Sequence, residues 1–527
     1  MSASSSAAQN ELDEVSDKRT VSNESSRWGD AALALSIAHL SLLEAAHGQL
    51  FGRDFGYFNR VPVNRASLTA LFLNIFAFGT ALWLIGRFVR RINRPALFTV
   101  GRLVICLMAV IPLNFVRMHY WNLGITQFVT LMKHPLMLIG AGVIVLAVLW
   151  FHRHVPKLVM VIYLILSPMV LFTTATIGWR LIHPLPVPQN AGPPATVAAR
   201  TSPRVVWLLL DELDQRIAFE APPPSVPLPE LTRFYNESFH ATNAFPPGGS
   251  TLYSLPALTI GRQVRGARPF SANDLAFNGA TRWSQVETVF SRARSLGFST
   301  ALVGWFHPYC RIMGNQLDHC DWYPYAVVEL DRGLTVREAA VNQLCSVSPQ
   351  FQQRRMHTQN VLACQKAALD TLSSPSPAAF TMLHLPGPHY PGIYDAKRGQ
   401  FTFWKYSHDR EYLENLVLTD KLFADLRRTL EQTGAWTNSW LIVSSDHWWR
   451  ESAHYDGKTD HRVPFIIKAP APNQSAIYDK KFDTILTYHL VLSILKGELT
   501  SAGDLAHWID TYRTEPPVGY KDNGEPL

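Results

Sequence analysis

The sequence predicts an N-terminal α-helical transmembrane bundle of about five spans, followed by an α/β domain with a central, largely parallel sheet. Three observations carry this expectation. Residues 31–180 are dominated by long apolar runs. Beyond residue 204 the composition becomes globular, and short apolar strand candidates alternate with helical patterns. Several of those strands end in carboxylates or histidines, at the place where open α/β sheets put their sites. With 527 residues the chain has room for both parts.

Residues 1–28 are rich in Ser, Glu and Asp with few large apolar residues, and are expected to form a disordered cytoplasmic tail. Residues 29–182 form the expected transmembrane domain. Crossing the hydrocarbon core takes roughly 20 apolar residues in a helix. Residues 66–86 and 158–179 meet that without a charge, and 135–151 is shorter but clean. Residues 96–116 carry Arg102 near one end, where a long side chain can snorkel. Residues 31–51 make the weakest span, because they contain His39, Glu44 and His47. Arg87, Arg90, Arg91 and Arg94 follow the second span, and Arg153 and Lys157 follow the fourth. Holding both loops in the cytoplasm puts the C-terminal domain outside. No basic segment precedes the first apolar run, so no cleavable signal peptide is expected. Residues 183–203 (PLPVPQNAGPPATVAARTSP from Pro184) read as a semi-rigid linker, and 204–527 as the globular domain.

The net charge of +7 is spread out, with no dense basic block and no nucleic-acid motif. It is compatible with a membrane surface or an anionic substrate. Of five cysteines, Cys310, Cys320, Cys345 and Cys364 lie in the globular part. Four cysteines allow three pairings. The expected one is Cys310–Cys320 with Cys345–Cys364, suited to an oxidising compartment such as a periplasm. The alternative is unpaired thiols.

In the globular half, RVVWLLL (204–210) reads as a buried strand running into Asp211-Glu212-Leu213-Asp214. These carboxylates either form a site or cap the next helix, and Asp214 suits the capping role better. PPGG (246–249) forces a turn, after which Ser250 and Thr251 open a helix ending near Gly261. A hydroxyl there is either an N-cap or a nucleophile placed where free N–H groups favour an incoming anion. GFSTALVGWFH (297–307) and AFTMLH (379–384) read as strands with polar ends, the second followed by LPGPHYP with His389. Residues 411–430 have a helical apolar face. Two further strand candidates, 441–443 and 463–467, enclose Asp446, His447, His454, Lys458, Asp460 and His461. An adjacent Asp and His at a strand tip can share one cation, and His or Lys nearby can hold an anion beside it.

Taken in chain order, VVWLLLDELD, GGSTLYSLPALTIGR, GFSTALVGWFH, HLPGPHYP, SSDHWWRESAHYDGK and DHRVPFIIKAP resemble the alkaline phosphatase superfamily. The closer resemblance is to its sulfatase-like branch, which includes arylsulfatases, phosphonate monoester hydrolases and phosphoethanolamine and lipoteichoic acid transferases. The resemblance implies Asp211, Asp446 and His447 as metal ligands, with Thr251 as both ligand and nucleophile. It implies His389 as a substrate or second-metal residue, and Lys458, His307 and either His454 or His461 as anion contacts. The implied cofactor is Zn²⁺ or Mn²⁺, ahead of Mg²⁺ or Ca²⁺. The sulfatase pattern Cys-x-Pro-Ser-Arg is absent, because Thr251 is followed by Leu252, Tyr253, Ser254 and Leu255. Formylglycine cannot form at a threonine, which argues against an ordinary sulfatase. The Lys expected before His307 is Trp305, and the Gly expected after His447 is Trp448, which suggests an aromatic pocket rim.

Together these features lead to the expectation of a metal-dependent membrane-bound transferase. It would take a headgroup from a phospholipid donor, through phospho-Thr251, to a cell-envelope glycan or lipid acceptor. Its place would be the bacterial inner membrane, with the catalytic domain facing the periplasm. A phosphodiester, phosphonate or sulfate ester hydrolase of the same fold is the alternative within the class. A catalytically inactive glycan- or partner-binding membrane protein is the alternative outside it.

Overall fold

A computed structural model describes residues 28–51, 56–58, 64–121, 128, 131–151, 154–184, 189–192, 202–325, 335–345, 348–403, 408–470 and 475–527. The expected disordered tail lies outside the described residues, except Trp28, and so does much of the expected linker. The chain forms two compact units that interleave in sequence. One comprises residues 1–52, 63–185 and 333–349, and the other residues 53–62, 186–332 and 350–527.

The first unit is helical. Arg65–Ile92, Pro95–His119 and Val155–Ile182 are long and apolar enough to cross a bilayer. Trp28–Ser41 and Leu43–Leu50 would add a fourth span only as a pair bent by 67°. The expected fourth span is the helix Pro135–Trp150, whose 16 residues rise about 24 Å, short of the roughly 30 Å hydrocarbon core. Five spans therefore reduce to about three among the described residues. Asn64 caps Arg65–Ile92 by accepting from Ser67 N. A later segment, Val336–Cys345, packs on this helix through polar contacts. Asn74 Nδ2 donates to Ala340 O and to Gln343 Oε1, each at 3.0 Å.

The second unit is built on an eight-stranded sheet. Its centre is the expected strand Arg204–Leu210, which pairs in parallel with Ser439–Ser444 on one side and Phe380–Leu385 on the other. Thr300–Phe306 and His319–Pro324 continue the parallel arrangement. Phe465–Lys468 adds on antiparallel, followed by Phe239–Ala241 and Ala476–Tyr478. Six of the seven residues of Arg204–Leu210 are buried, as a strand covered on both faces requires. The helix expected over 411–430 spans His408–Gln432, and Leu416, Phe423, Leu426 and Leu430 lie in the core.

Register decides where the site falls. Leu209 pairs with both Ser444 and His384, and Gly304 pairs with His384. The C-terminal tips of the four central parallel strands are therefore level. Asp211, Asp446, His384 and Trp305 come from them, although they are far apart in sequence.

Cys310 and Cys320 are joined by a disulfide, closing the turn between two neighbouring strands. The expected Cys345–Cys364 bridge does not form. Cys364 is buried in Pro349–Leu372 with its thiol against the His384 carbonyl, while Cys345 ends the helix that packs on Arg65–Ile92. Each cysteine faces the neighbours of its own unit. Non-reducing peptide mapping should recover Cys310–Cys320 as the bridge and leave Cys345 open to alkylation. Cys310→Ala with Cys320→Ala should lower stability by about 2–3 kcal/mol in denaturant titration, given the short loop closed.

Candidate active site at the strand tips

Asp211 follows directly on its strand, and the chain then turns sharply. Glu212 adopts a left-handed backbone with φ 63°, so that its N–H reaches back to Asp446 Oδ1 at 3.3 Å. Asp214 takes the capping role, its Oδ1 accepting from Ile217 N at 2.9 Å. Asp446 follows Ser439–Ser444 in the same way, and its Oδ1 also accepts from His447 N at 2.9 Å. His447 Nδ1 donates to the Trp448 carbonyl at 2.9 Å. A carbonyl only accepts, so the proton sits on Nδ1 and the Nε2 lone pair faces the carboxylates. Nε2 lies 3.5 Å from Asp211 Oδ1 and 3.6 Å from Asp446 Oδ2.

Thr251 is the first residue of the helix Thr251–Ile260. Ser250 occupies the N-cap position but makes no capping bond, and its hydroxyl donates to Asn523 O instead. Thr251 is thus not the cap. Its Oγ1 lies 3.4 Å from both Asp211 Oδ2 and His447 Nε2. The preceding turn fits tightly under Trp448. A side chain at Gly249 would come within 2.6 Å of that indole, so glycine is required there by close approach.

This cluster carries charge that its protein neighbours do not balance. Asp211 and Asp446 are fully buried. Burial, then the Asp446 and Glu212 carboxylates, push the Asp211 carboxyl well above its ordinary range, against the Arg450 charge and the Trp305 N–H. Burial holds the His447 pKa at about 3, so its imidazole is neutral. Asp211 Oδ1, Asp446 Oδ2 and His384 Nε2 are all buried without a hydrogen-bond partner. Buried polar atoms without partners are costly, and these three sit together at the strand tips. One ligand atom each from Asp211, Asp446 and His447 lies within 4.8 Å of the others. Two carboxylates, neutral imidazole and a hydroxyl fit a divalent cation such as Zn²⁺ or Mn²⁺.

Three residues that sequence reasoning left out of the site belong to it by position. Trp305 Nε1 donates to Asp211 Oδ2 at 3.0 Å, so the substitution that looked like a departure orients a carboxylate. His384 Nε2 stands 3.8 Å from Asp211 Oδ2, while its Nδ1 donates to Trp305 O at 3.1 Å. Arg450 Nε is 3.6 Å from Glu212 Oε1, and its side chain is 40% exposed. A polar residue ending a buried strand is the sequence signal that would have found His384. Trp305 and Arg450 have no comparable signal.

The remaining expected residues lie elsewhere. His389 is buried, with its ring centroid 5.2 Å from that of Trp305. His307 is fully buried beside Thr251. Burial pushes its pKa down to about 3, its Nε2 donates to Thr251 O at 3.0 Å, and its Nδ1 meets Tyr57 Oη at 2.8 Å. His454 and Lys458 are exposed on and just after the short helix Ser452–Asp456. His461 packs on Trp448 at a centroid distance of 4.3 Å. Trp448 and Trp449 do not form an exposed rim. Both are buried, Trp449 stacked on Tyr412 at 4.0 Å and Trp448 between Gly249, His461 and Tyr520.

The fold and site together define an α/β domain whose strand tips carry an Asp/His cluster able to hold a metal ion, with a threonine beside it. The sulfatase family model matches residues 203–496, more than half of the chain, and the chain belongs to that family. Solved structures with a similar fold include a sulfatase from Pseudoalteromonas sp., with 13% identity, 62% of this chain and 75% of that chain covered, and a TM-score of 0.40. Another is a protein of the alkaline phosphatase superfamily from Vibrio parahaemolyticus, with 15% identity, 58% and 69% covered, and a TM-score of 0.35. A third is a murine ectonucleotide pyrophosphatase/phosphodiesterase in complex with AMP, with 11% identity, 56% and 95% covered, and a TM-score of 0.36. No curated protein matches the sequence.

Trp305→Phe keeps the ring but removes the bond to Asp211. Metal affinity should fall about 10-fold to 100-fold, read by competition with a chromogenic chelator, with little change in melting temperature.

Proposed function

We propose that this protein is a metal-dependent transferase. It moves a phospholipid headgroup of phosphoethanolamine or phosphoglycerol type to a hydroxyl on a cell-envelope glycan or lipid. The observation that carries this reading is Thr251 Oγ1, 3.4 Å from both Asp211 and His447 at the N-terminus of a helix. A threonine cannot become formylglycine, so sulfate ester chemistry of the usual sulfatase kind is disfavoured. It can form a phosphoester and release it again.

Asp211, Thr251, Asp446 and His447 would hold a divalent ion, which when bound would supply positive charge that lowers the pKa of the Thr251 hydroxyl. Thr251 Oγ1 forms its bond to phosphorus as the bond from phosphorus to the diacylglycerol oxygen breaks. The proton lost by the Thr251 hydroxyl ends on that oxygen, which leaves as the alcohol. The acceptor oxygen then bonds to phosphorus as the Oγ1–phosphorus bond breaks, and the acceptor's proton ends on Oγ1, restoring Thr251. Free N–H groups at the start of the helix face the incoming phosphoryl oxygens. Arg450 is close enough for its charge to act on Asp211 and Asp446, and it is open to solvent, so it is our choice for the phosphoryl cation. Lys458 and His454 lie further out and suit a role toward the headgroup or acceptor. His389 stands behind Trp305 as a substrate or second-metal residue.

The membrane-embedded donor fits the apolar helices of the first unit. Residues 56–58 belong to the same compact unit as the site, so both lie on one side of a bilayer. An even number of crossings must separate them. The three long helices plus Pro135–Trp150 would supply four, and the bent pair a fifth, with thinning or tilt taking up the mismatch. The Cys310–Cys320 bridge suits the periplasmic side of a bacterial inner membrane.

Incubation of the full-length protein with phosphatidylethanolamine or phosphatidylglycerol vesicles should give a headgroup adduct on Thr251 by mass spectrometry. Thr251→Ala should abolish adduct and turnover, by about 10³-fold or more, while still binding metal. Headgroup release to water without a lasting adduct identifies a hydrolase. Metal binding with neither adduct nor turnover identifies a binding protein.

Arg450→Ala should lower kcat/KM on the same donor about 100-fold, and Lys458→Ala by less than about 5-fold. The reverse order would return the phosphoryl contact to Lys458.

A further inference from the structure

Three consecutive residues lying between the first two apolar helical segments are built into the catalytic unit. Gly56 O accepts from Arg311 Nη1 at 3.2 Å. The Phe58 ring packs against Phe306 at a centroid distance of 5.2 Å. Between them Tyr57 is fully buried, 0% exposed, with its hydroxyl 2.8 Å from His307 Nδ1. His307 is equally buried and its Nε2 reaches Thr251 O at 3.0 Å.

The protons in this chain are determined by its ends. The Thr251 carbonyl can only accept, so His307 Nε2 carries the hydrogen. In a neutral imidazole Nδ1 is then a lone pair, and the Tyr57 hydroxyl must donate to it. Tyr57 therefore holds His307 in the tautomer that can grip the nucleophile's own backbone. Phe306 aims the imidazole, its backbone in the left-handed region at φ 75° and the turn closed by His307 N donating to Trp305 O at 3.0 Å.

We propose that Tyr57 is a positioning residue for Thr251, acting through His307. It is supplied from outside residues 204–527, by the segment that joins the first two apolar helices. This rests on the reading of Thr251 as nucleophile. Without the hydroxyl, Nδ1 is a buried acceptor with no donor, and the tautomer protonated on Nδ1 becomes competitive. In that tautomer Nε2 cannot donate to Thr251 O. The first turn of the helix loses its anchor, and Oγ1 loses its alignment between Asp211 and His447. The nucleophile is then aligned only while the residue 56–58 segment is docked.

The test uses the full-length protein in lipid nanodiscs with bis(p-nitrophenyl) phosphate as probe. Tyr57→Phe should lower kcat about 10-fold to 100-fold and leave KM within about 2-fold, because alignment rather than binding is lost. Metal content should stay at the wild-type value, and the melting temperature should fall by no more than a few degrees, the cost of one unpaired buried acceptor. His307→Gln, whose amide can accept at one end and donate at the other, should retain more activity than His307→Ala. If Thr251→Ala is inactive while Tyr57→Phe turns over like wild type, the positioning role is wrong and the nucleophile stands. If Thr251→Ala keeps its turnover, both readings fall. Nitrogen-15 spectra of the His307 ring give a readout independent of turnover. The wild type should show Nε2 protonated, and Tyr57→Phe should shift the ring toward Nδ1 protonation. An unchanged ring spectrum overturns the proposal.

Discussion

The structure of the catalytic unit turns on negative charge concentrated where water cannot reach it. Asp211 and Asp446 end adjacent parallel strands, both fully buried, and each keeps one oxygen without a hydrogen-bond partner. A buried carboxylate pair is costly unless something positive joins it. The protein supplies partial relief, through the N–H groups of Glu212, His447 and Trp305 and the charge of Arg450. The neighbouring imidazoles are held neutral by burial, which keeps them as lone-pair donors rather than counter-charges. An apo site of this composition is under-compensated, and that is the condition a divalent ion relieves.

Holding such a cluster takes unusual backbone. Glu212 and Phe306 both lie in the left-handed region, where a residue other than glycine is strained by roughly 1–3 kcal/mol. Phe306 is the last residue of its strand, and Glu212 lies two residues past the end of its own. Each turn redirects the chain so that nearby residues serve one centre: Asp211 with the Glu212 N–H, and Trp305 with His307. The sheet bears this strain because its central strands are buried on both faces and packed into two large apolar clusters. Rigidity at the strand tips and the level register of the four parallel strands are one property viewed at two scales.

The aromatic residues show how the same chemistry serves different ends. Trp305 and Trp448 stand where the family resemblance led us to expect Lys and Gly. Trp305 uses its single N–H to orient a metal-type carboxylate, with its ring between Asp211 and His389. Trp448 contributes its backbone carbonyl, which accepts from His447 Nδ1, and its indole serves packing. It fills the space over Gly249 and so fixes the turn that presents Thr251. A positive charge lost at position 305 has a counterpart in Arg450, which approaches from another loop.

The sequence by itself determined a good deal here. Buried strands declare themselves by apolar runs, so Arg204–Leu210, Thr300–Phe306, Phe380–Leu385 and Ser439–Ser444 were legible, and so was the parallel order implied by intervening helices. Asp211, Thr251, Asp446 and His447 were legible too, because each abuts a recognisable strand or turn. What local pattern cannot carry is register and direction across distant segments. His384 looked like any strand-end histidine until pairing with Gly304 and Leu209 set it beside Asp211. Cys345 and Cys364 were expected to pair as one of three allowed arrangements, yet they belong to different compact units. Lys458 and His461 were close to the site in sequence, whereas packing left one exposed and stacked the other on Trp448. Tyr57 had no local signal at all, since a tyrosine between two apolar segments is ordinary. Only tertiary structure, which brings residues 250 positions apart within hydrogen-bond distance, decided that it meets His307.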